Sequence, residues 1–263
     1  MPQPPMNRSV VAPMAETTTT THAGRRLRYL LAFAGLCVVL VAAMAIPSAG
    51  ARRAIVLGKT KHNENPACPQ DTNQHPCSAI GSVTGFMTKA DGRKHPFNIF
   101  KDGKIVAWAI HVSKPNKTQR NFFGTLFESE AFGQHPSARI SVIKNKSHHK
   151  YKLVKQSKTL DLQGVLGRKQ IFTLNKPLRV HPGQVIALTL PTWAPNFAVN
   201  LSPSSNQWRA SRKKGRCNTD RDHIRNVKAS RPQQKVGSLQ PYECRYSGAR
   251  LLYWAYFVPS KKK

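Results

Sequence analysis

Acidic residues are scarce in this chain of 263 residues, where 11 Asp and Glu stand against 42 Lys and Arg, a formal net charge of +31 at pH 7. So few carboxylates leave little material for acid–base pairs or for cation sites built from oxygen ligands. One close pair, Glu128 and Glu130, falls on a stretch that reads as a strand. There it would share a face at a spacing of about 7 Å. A solvated surface pair is the plain reading, and a polysaccharide-active enzyme is the alternative. The chain also lacks a G-x-S-x-G elbow, a phosphate-cradling Gly-rich loop and a dinucleotide fingerprint. No catalytic residue is assigned, and neither metal nor cofactor is expected. Asp220, Asp222 and His223 could offer ligands to a hard cation, but the positive charges around them oppose it. His148-His149 reads as a surface turn.

Cysteine is sparse too, with 5 residues and no C-x-x-C pair, which argues against a zinc site. Cys37 lies inside the long apolar run, residues 29–46. Arg25, Arg26 and Arg28 precede that run, and Pro47-Ser48-Ala49-Gly50-Ala51 follows it. This is the order of an export signal, and cleavage after Ala51 and retention as an anchor both fit it. Everything beyond residue 51 is then expected outside the cytoplasm, membrane-anchored or secreted. Cys68, Cys77, Cys217 and Cys244 remain, an even number in an exported domain, which predicts two disulfides. The pairing Cys68–Cys77 and Cys217–Cys244 closes two local loops.

After residue 51 no amphipathic helix of ten residues or more is evident. Short β-type segments recur between Gly, Pro and Asn instead: Ser82–Lys89, Ile105–Val112, Ala138–Val142, Tyr151–Val154, Ile171–Leu174, Leu178–Val180, Val185–Leu190, Asn196–Leu201 and Arg250–Val258. In the second of these, Val106, Trp108, Ile110 and Val112 share a face at period two. The pattern predicts an all-β, antiparallel sandwich of jelly-roll type behind one N-terminal hydrophobic helix. The expected organisation is a disordered lead-in over 1–24, the signal or anchor over 25–51, a linker over 52–67, the sandwich over 68–259 and a basic tail over 260–263.

Several stretches together, DGKIVAWAIHV (102–112), RVHPGQVIALTLPTWAP (179–195), NQWRASR (206–212) and ARLLYWAYFVP (249–259), carry a resemblance. As a set they resemble uncharacterised exported β-sandwich proteins of high-GC Gram-positive bacteria. The likeness implies a fold similar to carbohydrate-binding jelly rolls and an envelope location. It carries no known active site.

Residues 209 to 235 concentrate the positive charge, with Arg209, Arg212, Lys213, Lys214 and Arg216 at the start. Phe, Tyr and Trp are absent from that stretch, so the bases of a single strand would find no stacking platform. Nucleic acid is therefore expected only as a non-specific partner at low salt. For an exported chain the expected polyanion is an anionic cell-envelope polymer or lipid surface. Near anionic lipid each Lys or Arg would contribute roughly 1 kcal/mol. Trp193, bracketed by Pro191 and Pro195, and Trp208, beside the basic stretch, are candidate ligand platforms, with core packing as the plain alternative. Trp108 and Trp254 sit mid-strand and are expected in the core. Three functions follow: a non-enzymatic binder of an envelope polymer or polysaccharide, an adaptor for other envelope proteins, or the enzyme named above.

Overall fold

The alternating stretches form strands. The computed structural model describes residues 53–67, 78–217 and 230–261. In chain order the first strands are β1 (Ile55–Leu57), β2 (Ile80–Ala90), β3 (Arg93–Lys94) and β4 (Gly103–His111). Helix α1 (Lys117–Leu126) precedes β5 (Ser137–Ser147), β6 (Lys150–Gln156), β7 (Leu160–Asp161), β8 (Lys169–Val180) and β9 (Gln184–Ala194). The chain closes with β10 (Phe197–Ala198), β11 (Gln207–Ala210), β12 (Leu239–Pro241), β13 (Cys244–Ser247), β14 (Arg250–Leu251) and β15 (Tyr253–Pro259).

All described pairings are antiparallel, as the sequence predicts for an all-β chain. One sheet runs β1-β15-β4-β8, and the larger runs β12-β6-β5-β9-β2-β11-β13, with β3 beside β2 and β7 beside β5. Period two decides which residues enter the core between them. Ile105, Trp108 and Ile110 of β4 enter from the smaller sheet, and Met87, Ile140, Val142, Ile186 and Leu188 from the larger. Tyr253 joins the two sheets: its ring stacks on Phe97 at 4.1 Å, and its hydroxyl donates to the Ile186 carbonyl at 3.0 Å. A bulge between Ile105 and Ala107 puts Ile105, rather than Val106, on the core side. Each such aliphatic side chain stabilises by about 1.5–3 kcal/mol when fully buried.

The opposite face of the larger sheet is polar and is covered by the chain's own return. Thr84, Thr189 and Ser141 form a buried hydroxyl chain with links of 2.9 and 2.7 Å. Gln233 crosses over it, donating its backbone N–H to the Thr84 hydroxyl and its amide to the Tyr151 carbonyl, both at 2.9 Å. The Tyr242 hydroxyl donates to the Gln233 amide oxygen at 2.8 Å. The Cys217–Cys244 disulfide, as expected from the sequence, fastens this return to β13.

Four local expectations give way. Residues 55–57 of the supposed linker pair with β15 as strand β1. The segment after them is clamped by Asp91, whose carboxylate accepts from the Lys61 and His62 backbone at 2.9 and 3.1 Å. A ten-residue helix, α1, exists. Its cap is reciprocal between Asn116 and Gln119, and only Phe123 and Gly124 are buried, so its apolar face is narrow and short. The segments flanking Pro177 are one strand, β8, tolerated because β8 lies at a sheet edge where a missing N–H costs no ladder bond. Asn196–Leu201 keeps only the two-residue strand Phe197–Ala198. The apolar run, Cys68, Cys77 and the 218–229 part of the basic stretch lie outside the described residues. Among the described residues no helix is long and apolar enough to cross a membrane.

Candidate anion-binding groove

A groove of about 580 Å³ opens on the polar face of the larger sheet, beside the covering segment. Strand register builds it. Arg209 of β11 stands directly opposite Arg245 of β13. Lys89 of β2 stands opposite Lys94 of β3 on one side and Gln207 of β11 on the other. The four cations line one groove with His95 and His149, and no Asp or Glu is among the described residues that line it. Directly opposed like charges cost roughly 0.2–1 kcal/mol per pair in a sheet. Two such pairs in one groove therefore work against the fold that carries them.

The groups that fix these cations are neutral. Arg209 donates to the Tyr242 carbonyl at 2.9 Å and lies 3.3 Å from His149 Nε2. Arg245 donates to the Gln207 amide oxygen at 2.7 Å, and Lys89 to the Ser204 carbonyl at 2.7 Å. Arg209, Arg245 and Lys89 are oriented, and among the described residues no carboxylate lines the groove beside them. The adjacent Glu243 turns its carboxylate to the Lys214 backbone N–H at 2.7 Å. Burial, with Arg245 adding repulsion, lowers the Arg209 pKa from its ordinary value.

His149 owes its place to the β5–β6 hairpin. The two loop residues, His148 and His149, both have positive φ, 39° and 63°. Such a two-residue loop follows the twist of the strands but is normally made with Asn or Gly. Histidine here carries a backbone cost, and the hairpin aims its imidazole at Arg209. Burial first, then Arg209, hold the His149 pKa below its ordinary value against the pull of Glu243, with His148 adding the smallest contribution. A neutral Nε2 can then accept from Arg209.

The groove floor is aromatic and closed. Phe86 and Tyr151 pack at 5.1 Å, and Tyr151 and Tyr242 at 4.9 Å. Phe86 is 3% and Tyr151 7% exposed, so neither offers a free ring face. Burial raises the Tyr151 pKa despite the pull of Arg209, which keeps the phenol neutral.

Of the residues singled out in the sequence, Arg209 and His149 line this groove. Arg212 is buried and donates to the Tyr246 hydroxyl at 3.0 Å, so it is no surface contact. Lys213, Lys214 and Arg216 are exposed on the turn that the disulfide holds. Neither tryptophan is a platform. Trp193 is 1% exposed, donates to the Gln134 carbonyl at 2.8 Å and packs on Phe123 of α1. Trp208 is 3% exposed and is covered by Tyr246, stacked at 4.5 Å. Trp254, expected in the core, lies half-buried with the Lys169 ammonium 4.0 Å over its ring. Glu128 and Glu130 lie in the irregular loop after α1, Glu130 in a turn, not on one strand face. Asp220, Asp222 and His223 lie outside the described residues. Among those described, no group of three or more His, Cys, Asp or Glu could hold a metal ion.

Arg245, Lys89 and Lys94 escape sequence reading because they converge only through strand register, and His95 comes with them as the neighbour of Lys94. The double histidine at a hairpin loop was the one local signal. No protein-family model, curated protein or solved structure matches this chain.

Proposed function

We propose that this chain is a non-enzymatic, exported or membrane-anchored β-sandwich of jelly-roll type that binds an anionic polymer of the cell envelope in the Arg209–Arg245 groove. The observation that carries the reading is the directly opposed arginine pair, fixed by a backbone carbonyl, an imidazole and an amide, with no carboxylate among the described residues that line the groove. Uncompensated charge held in place suits an anionic ligand, because the cost of ordering the arginines is met during folding rather than at binding. Lys213, Lys214 and Arg216 extend the positive surface past the disulfide. The closed aromatic floor favours a polymer without stacking bases over single-stranded nucleic acid, which uses exposed rings.

The test is retention of the oxidised full-length chain, in mild detergent, on purified cell walls before and after removal of their anionic polymer. Retention that needs the polymer and fades as salt rises supports the reading. Equal retention on stripped walls, or retention unchanged through high salt, contradicts it.

A further inference from the structure

Resting on the membrane-anchored form of that reading, we propose that a second groove, between strand β1 and the β2–β3 hairpin, seats the headgroups of anionic phospholipids. Its volume is about 1080 Å³, and it shares no lining residue with the Arg209–Arg245 groove. Four exposed cations line it: Arg53, Lys59 and Lys61 on the chain entering and leaving β1, and Arg93 on the hairpin. Ile55 and Val56 of β1 and Ala90 of β2 form its apolar part, and Ile55 is 38% exposed. Asp91 is the one carboxylate among the described lining residues, and it is already engaged. It accepts the Lys61 and His62 backbone N–H groups at 2.9 and 3.1 Å and meets His62 Nδ1 at 2.9 Å. None of the four cations forms an ion pair with a described residue.

Chemistry and chain position commit this groove to lipid. Cations around an apolar strand suit an amphiphile, whose phosphate meets the charges while its glycerol and first methylenes lie on Ile55 and Val56. A soluble polyanion would gain nothing from those two side chains. Six residues, 47–52, separate the apolar run from Arg53. A chain of seven peptide steps reaches at most about 25 Å, so with the run in a bilayer Arg53 stays within that distance of the place where the run leaves the hydrocarbon. Lys and Arg clustered beside a membrane span attract anionic lipid within about a Debye length of its surface. The hairpin wall is fixed. Its two loop residues, Asp91 and Gly92, have φ of 50° and 80°, and their N–H groups donate to Asn206 Oδ1 and the Ser205 carbonyl, both at 3.0 Å.

The experiment places the oxidised full-length chain in phosphatidylcholine nanodiscs carrying increasing phosphatidylglycerol, and follows amine labelling of each lysine by mass spectrometry. The expected result is that Lys59 and Lys61 become protected as phosphatidylglycerol rises, while Lys213 and Lys214 stay reactive. Arg93→Gln removes a cation from the hairpin wall and leaves both reporters in place. It should raise the phosphatidylglycerol fraction needed for half-protection roughly fivefold, the worth of one Lys or Arg near anionic lipid. An unchanged circular dichroism spectrum and thermal midpoint certify the folded variant. Equal labelling of Lys59 and Lys61 at every phosphatidylglycerol content would overturn the headgroup site, while polymer binding at Arg209 and Arg245 is judged separately by wall retention. Protection of Lys213 and Lys214 instead would move the lipid contact to the disulfide-held turn and overturn the assignment. Unaltered half-protection in Arg93→Gln would remove the groove as its cause. Protection by free glycerol phosphate in pure phosphatidylcholine discs would replace the bilayer with a soluble ligand. A chain that does not enter nanodiscs would overturn the anchored reading and this inference with it.

Discussion

Arg209 and Arg245 face each other across β11 and β13, two cations in adjacent strands with neutral groups as their hydrogen-bond acceptors. Positive charge on β13 alone would be unremarkable, because β13 ends the sheet and charged edge strands resist pairing with other chains. Arg209 is different. It lies on an interior strand, half-buried, where edge protection gives it no role. The proposed anion binding would account for both arginines together.

Arg245→Gln should therefore stabilise the fold while weakening polymer binding. Removing one of two directly opposed like charges should gain about 0.2–1 kcal/mol. Urea unfolding should show a raised midpoint with an unchanged slope, and wall retention should fall severalfold. A loss of both stability and binding would instead mark Arg245 as structural.

Acidity should act on the groove through His149. Its depressed pKa means that the imidazole is neutral in the folded, ligand-free chain at neutral pH. Its contribution to stability is full above the ordinary histidine value of about 6.5 and is lost as pH falls through the lower folded value. The groups acting on it are Arg209, His148 and Glu243. Without ligand, the urea midpoint should fall as the pH drops below about 6.5. With polyanion present, binding should tighten over the same range as the ring gains charge. His149→Asn, which tolerates positive φ, should flatten part of both trends.

The Cys217–Cys244 link, across a sequence separation of 27, holds the covering segment to β13. Chain-entropy arguments give a loop of this size about 3–4 kcal/mol. Cys217→Ser with Cys244→Ser should lower stability by about that amount in denaturant titration, and should weaken binding because β13 carries Arg245.

Tyr242 and Trp193 should behave as structural residues. Tyr242→Phe strands the buried Gln233 oxygen and should cost about 1–3 kcal/mol. Trp193→Phe removes the indole bond to Gln134 and should destabilise while leaving polymer binding unchanged. Lost binding in a folded Trp193→Phe variant would restore that ring as a ligand platform.

What was legible in the sequence follows from how local each signal is. Ile105–Val112 could be read as a strand because its alternation lies within one segment, although the bulge after Ile105 moved the core face by one residue. The Cys217–Cys244 pairing was legible as a short loop in a domain that the sequence reads as exported. Helix α1 was missed although Asn116 and Gln119 spell a capping box, because its buried face is only Phe123-Gly124 in ten mostly polar residues. Trp193 stood in a proline-bracketed stretch that reads as a loop, yet β9 runs through it to Ala194 and α1 closes over its ring. The groove was least legible. Arg209, Arg245, Lys89 and Lys94 come from four strands, and long-range register, which no local pattern encodes, brings them together.

The central claim is tested most directly by retention of wild-type chain and an Arg209→Gln, Arg245→Gln double variant on polymer-bearing walls across a salt series. The predicted result is wild-type retention that falls steeply with salt, and a folded double variant that loses most of it at every salt concentration. Retention by the double variant equal to wild type would show that the groove is not where the polymer binds.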